Sequence, residues 1–110
     1  DVKDNFTIMK EEPFGPLVPI LTFKTFDEVI ERANDNDLGL CSYLYTNSME
    51  KAHIGSEKLE SGCVAVNTGV VAIAEAPFGG IKQTGYGREG GSGAIKDYLN
   101  VKYTHMGLKI

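Results

Sequence analysis

Six of the chain's thirteen glycines lie between Gly79 and Gly91. They fall inside a stretch that reads Glu-Ala-Pro-Phe-Gly-Gly-Ile-Lys-Gln-Thr-Gly-Tyr-Gly-Arg-Glu-Gly-Gly from Glu75 to Gly91. Glycines this dense deny the stretch a regular helix or strand and open it to positive φ angles and close backbone approach. Two readings stand. A flexible connection would have little use for Phe78, Ile81 and Tyr86 set among the lone charges Lys82 and Arg88. A shaped loop lying against other parts of the protein uses all of them.

The rest of the chain reads as elements that could carry such a loop. Asn5 to Lys10 alternates apolar and polar residues around Phe6 and Ile8, as a short strand does. The run Glu11-Glu12-Pro13-Phe14-Gly15-Pro16 interrupts it, and the residue before each proline is pushed towards extended geometry. Glu12 is therefore presented from a stiff platform, either as a solvated carboxylate or as a grip for hydroxyl groups. Leu17 to Phe23 is apolar and reads as a buried strand. Thr25-Phe26-Asp27-Glu28 fits a capping box and opens a helix over 26–34. Leu40 to Tyr45 reads as a strand. Asn47 or Ser48 caps a helix running to about Leu59, with Gly62 expected just past its end. Cys63 to Val66 is another apolar strand. Beyond the glycine-rich loop, Ala94 to Leu99 predicts a short helix and Asn100 to Met106 a terminal strand.

Strand, helix, strand, helix, strand with short connections predicts an α/β fold: a mostly parallel sheet with flanking helices. Ligands of such sheets bind outside the carboxyl ends of the strands, and Glu11 to Pro16 and Glu75 to Gly91 are both expected to follow strand ends. The terminal strand has no partner evident in the sequence, so it either caps its own sheet or adds to a neighbouring chain.

Several functions are unsupported. A net charge of −4 offers no electrostatic footprint for nucleic acid. No apolar run approaches the roughly 18 residues of a membrane span, and no signal peptide is evident, so the expected location is cytoplasmic. Cys41 and Cys63 sit in apolar runs and read as reduced core thiols. His53 and His105 lack a third ligand at metal spacing, and no metal site is expected. No dinucleotide fingerprint or phosphate-binding loop is present. The chain opens at Asp1 and reads as a piece of something longer.

Glu-Glu-Pro-Phe-Gly-Pro at 11–16, Val-Asn at 66–67, Pro-Phe-Gly-Gly-Ile-Lys at 77–82 and Gly-Arg-Glu-Gly at 87–90 together resemble the C-terminal quarter of an NAD(P)-dependent aldehyde dehydrogenase. The resemblance covers nearly the whole chain. Asn-Thr-Gly at 67–69, Glu-Ala-Pro-Phe-Gly-Gly at 75–80 and Tyr-Leu-Asn-Val-Lys-Tyr at 98–103 are most similar to succinate-semialdehyde dehydrogenases within that superfamily.

The resemblance implies a division into residues 1–97, part of the catalytic domain, and 98–110, an oligomerisation strand and tail. It implies cofactor-binding roles for Glu12, at the nicotinamide ribose hydroxyls, and Phe14, beside the nicotinamide ring. The cofactor would be NAD or NADP. Ala72, Ile73 and Phe78 would belong to the substrate-entrance loop, and the partners would be a small aldehyde, succinate semialdehyde above all, and further copies in a homo-oligomer. Ala72 and Ile73 depart from the pattern, because relatives place serine nearby to hold the substrate carboxylate. Asn100 departs too, standing where relatives carry a carboxylate able to pair with an arginine of the Arg88 kind. The family's nucleophilic cysteine and general-base glutamate match no residue here, and a cysteine in an apolar strand has a raised pKa. No catalytic residue is therefore expected in this piece, which should be inactive alone. The alternative expectation is a longer protein acting on another small aldehyde, with this chain serving only the cofactor edge and subunit assembly.

Overall fold

Helix α2, Phe26–Asn34, begins where Thr25 accepts a hydrogen bond from the Glu28 amide at 3.2 Å. The Glu28 carboxylate reaches back one residue further than a standard box, accepting from the Lys24 amide at 2.8 Å. The computed structural model describes residues 2–109. Before α2 lies the single turn α1, Thr7–Lys10. After it come β1, Leu38–Gly39, β2, Cys41–Leu44, α3, Met49–Lys58, β3, Cys63–Val66, and β4, Ile81–Lys82. A 3₁₀ helix spans Ala94–Tyr98.

Sheet formation is more limited than the alternation of elements predicts. β2 and β3 pair in parallel, with Cys41 opposite Cys63 and Leu44 opposite Val66. β1 and β4 form a separate antiparallel pair, Leu38 opposite Lys82. Among the described residues the fold is thus α/β with two small sheets, one of them parallel and one antiparallel. Helix α3 packs on β2, β3 and α2. Among the described residues, Ile30 and Ala65 are the buried hydrophobic ones. Asn34 joins the helix ends, donating to the Lys58 carbonyl at 2.8 Å and accepting from the Glu60 amide at 2.9 Å.

Four expectations are corrected. Asn5 to Lys10 is not a strand: Glu11 N–H bonds the Thr7 carbonyl at 2.8 Å, closing a helical turn, and no second strand among the described residues accepts its backbone groups. Leu17 to Phe23 is irregular and exposed, with Val18 and Ile20 about four-fifths accessible. Asn100 to Met106 forms no strand among the described residues. Gly62 does not terminate α3, which ends at Lys58 with Leu59 as its cap. Gly62 instead packs face to face on the Gly79 carbonyl, where a Cβ would collide with backbone. Ser48 is the residue that caps α3, accepting from the Lys51 amide at 3.2 Å.

Candidate functional site

The carboxylate at Glu12 is placed by the turn before it. Glu11 leaves α1 in extended geometry, φ −106° and ψ 131°, and the Gly15 amide donates to the Pro13 carbonyl at 2.9 Å. Glu12 is exposed and lines an open cavity of about 300 Å³ together with Pro13, Gly39, Cys41 and Ser61. The segment follows a helical turn, and it faces the beginning of β2, so its expected place beyond a strand's carboxyl end is corrected. Phe14 is 94% accessible and projects into solvent.

Past β3, the Asn67 side chain ties the ends of the parallel pair. It accepts from the Thr46 amide and donates to the Thr46 carbonyl, both at 2.9 Å, with its own φ at +54°. The chain then runs to the glycine-rich loop, which is shaped. Phe78 and Glu89 exchange two backbone hydrogen bonds at 2.7 Å, and the Gly91 amide donates to the Ala74 carbonyl at 2.9 Å. Gly90, at φ +68°, sits where a Cβ would lie 2.8 Å from the Ala76 carbonyl oxygen. Arg88 clasps the loop from within, donating to the carbonyls of Gly80 and Gly87 at 2.8 and 2.7 Å. Asp97, rather than residue 100, supplies the nearby carboxylate and accepts from the Arg88 amide at 3.2 Å.

The structure does not gather the five expected site residues into one pocket. Ala72 is exposed, and Ile73 lines a shallow cavity of about 230 Å³ beside Val70 and Pro77. Phe78 is half-buried and lines a different cavity of about 280 Å³ with Thr84, Arg88 and Tyr98. Glu12 belongs to a third, and Phe14 lines none of these. What the arrangement offers is an acceptor at Glu12 and an aromatic ring at Phe14, held on one turn and free for a ligand with hydroxyl groups and a flat ring.

Two features escaped the sequence reading. Lys82, at φ +55°, fixes β4 by donating to the carbonyls of Asn34 and Asn36 at 2.9 and 3.0 Å and pairing with Glu60 at 2.8 Å. Cys41 and Cys63 are only half-buried and face each other across the parallel pair. Burial, and then the neighbouring Cys63, push the Cys41 thiol above its ordinary pKa, which suits neither a nucleophile nor a base. Among the described residues, no cluster of three or more metal-ligating side chains occurs, and no helix is long and apolar enough to cross a membrane.

The family model described as "Aldehyde dehydrogenase family" matches residues 1–104. Succinate-semialdehyde dehydrogenase [NADP(+)] GabD of Escherichia coli K12 is 46% identical over 108 residues, which are 98% of this chain and 22% of that protein. The glutarate-semialdehyde dehydrogenase of Pseudomonas aeruginosa is 46% identical over 107 residues, 97% of this chain and 22% of its own length. Among solved structures, the NAD+ complex of an aldehyde dehydrogenase from Bacillus cereus superposes with a TM-score of 0.89 at 47% identity, covering 93% of this chain and 21% of that one. The chain spans about a fifth of the length of these relatives.

Proposed function

Because the chain belongs to the aldehyde dehydrogenase family, we propose that it is the cofactor-edge and assembly segment of a longer enzyme that oxidises a small semialdehyde with NAD+ or NADP+. The observation that carries this reading is the exposed Glu12 carboxylate, set on a proline-stiffened turn at the rim of an open cavity. Two acceptor oxygens on a rigid backbone suit the vicinal hydroxyls of a ribose. Phe14, on the same turn, offers its exposed ring to the nicotinamide. When bound, the nicotinamide supplies the hydride acceptor; this chain's part is to orient it.

The substrate reading is narrower than aldehyde oxidation in general. The relatives include enzymes named for succinate and for glutarate semialdehyde, so a terminal carboxylate on the aldehyde is the favoured class. Ala72 and Ile73 supply no side-chain donor to hold that carboxylate, so the grip falls to residues elsewhere in the longer protein. The reacting cysteine and the base that activates water belong to that remainder as well, and this chain alone is inert. The cytoplasm is the proposed compartment.

One set of assays tests the reading. The isolated 110-residue chain, given succinate semialdehyde and either cofactor, is expected to show no turnover. In the longer protein, Glu12→Gln is expected to slow kcat about tenfold, equivalent to losing about 1.4 kcal/mol of charge-assisted hydrogen bonding. Turnover by the isolated chain, or unchanged kinetics in the Gln variant, would overturn it.

A further inference from the structure

The first residues of β2 and β3, Cys41 and Cys63, are direct register partners in a parallel ladder. Register partners project to the same face, so the two thiols stand side by side across strands about 4.8 Å apart. Both cysteines are free, and both are partly exposed. Cys41 lines the open cavity beside Glu12, and Cys63 lines the shallow one beside Val70, so each strand start is reached from a cavity. Cys63 Sγ also lies 3.7 Å from the Gly79 carbonyl oxygen, which fixes where its thiol points.

A direct disulfide needs the two Cβ atoms within about 3.5–4.5 Å, slightly closer than the roughly 4.8 Å spacing of neighbouring strands. An atom inserted between the sulfurs relaxes that requirement. Zinc would require four ligands, and no third His, Cys, Asp or Glu completes a cluster among the described residues. A trivalent centre that already carries one substituent requires only two.

We propose that Cys41 and Cys63 form a dithiol clamp for a soft, trivalent thiophilic centre of the organoarsenic(III) class. The step is an exchange without oxidation or reduction. Two As–S bonds form, the arsenic–oxygen bonding breaks, and the two thiol protons leave with the oxygen as water. Cys41, whose pKa burial raises, keeps its proton at neutral pH and supplies one of the two. The proposal is independent of the dehydrogenase reading.

The probe is phenylarsine oxide, titrated into the folded chain and followed by intact-mass spectrometry and iodoacetamide protection. One phenylarsenic group per monomer is expected, with both thiols protected at one equivalent and both released by 2,3-dimercaptopropanol. Cys41→Ser and Cys63→Ser are each expected to weaken capture about a hundredfold, the loss of an intramolecular second attachment. Two groups per chain, arsenic-bridged dimers, a thiol still alkylated at one equivalent, or equal affinity in guanidinium would each overturn the clamp. The stoichiometry and protection of the unmutated chain decide the matter even where a variant fails to fold.

Discussion

Glu28 shows how much one side chain does here. It closes the start of α2 against the Lys24 amide and pairs with Arg32, which in turn reaches Asp4 at 2.7 Å and the Thr22 carbonyl at 2.8 Å. The Lys24 N–H holds the Glu28 carboxyl below its ordinary pKa, against a smaller opposing effect of burial. A depressed folded-state value means that the stabilisation is complete above the unfolded value, about 4.3, and is lost as pH falls through the folded one. Urea unfolding of the chain and Glu28→Gln should therefore differ at pH 7 and converge near pH 3; a difference that persists at low pH would assign the effect to shape rather than charge. Thr25→Ala, which removes the cap itself, should cost about 1 kcal/mol at either pH. The cap was legible in the sequence because Thr25 and Glu28 lie three residues apart, whereas the reach of Arg32 to Asp4 and to the Thr22 carbonyl was not. The Lys82 clasp was not, because Asn34, Asn36 and Glu60 are brought to it only by the fold.

Elements divide along the same line. Helices α2 and α3 were readable from Thr25 and Ser48 and from their apolar spacing, since a helix satisfies its backbone internally. A strand exists only where a partner accepts its ladder, and composition does not reveal the partner. Val18, Ile20 and Val101 carry strand-like side chains with no neighbour, whereas Leu38–Gly39 becomes a strand because Ile81–Lys82 lies against it. The glycine-rich loop was legible as shaped, through its density of glycine and its aromatic anchor, yet its contacts were not. Gly62 is the clearest case, since its role at the Gly79 carbonyl depends on a residue in the distant loop. Gly62→Ala should push the loop off β3 and destabilise the chain by about 1 to 3 kcal/mol, as overpacking does. Chemical denaturation reads this directly, and a neutral result would show that the loop is not seated on Gly62.

At the scale of the whole molecule, shape and surface disagree with a self-contained domain. The radius of gyration is 19.5 Å and the longest dimension 78 Å, against a radius of roughly 13 Å for a compact chain of this length. The accessible surface is 9388 Å², where a compact protein of this mass exposes roughly 6,000 Å². Many large apolar side chains are part of that exposed surface. Phe14, Val18 and Ile20 before α2, Tyr98 at the end of the 3₁₀ helix, and Val101, Tyr103, Met106 and Leu108 beyond it are all nearly bare. Residues 100–109 carry no regular secondary structure and make no backbone hydrogen bond among the described residues, so their backbone groups are available to a sheet edge on another chain. Apolar side chains and open backbone donors on one segment both gain from pairing, and a second copy is the partner always present at the same concentration. Light scattering at micromolar concentration should accordingly give a dimer or larger species. Removing residues 99–110 should shift that distribution towards the monomer. The untruncated 110-residue chain running as a clean monomer would mean that the tail does not pair with a copy, and the assembly role proposed for it would fall.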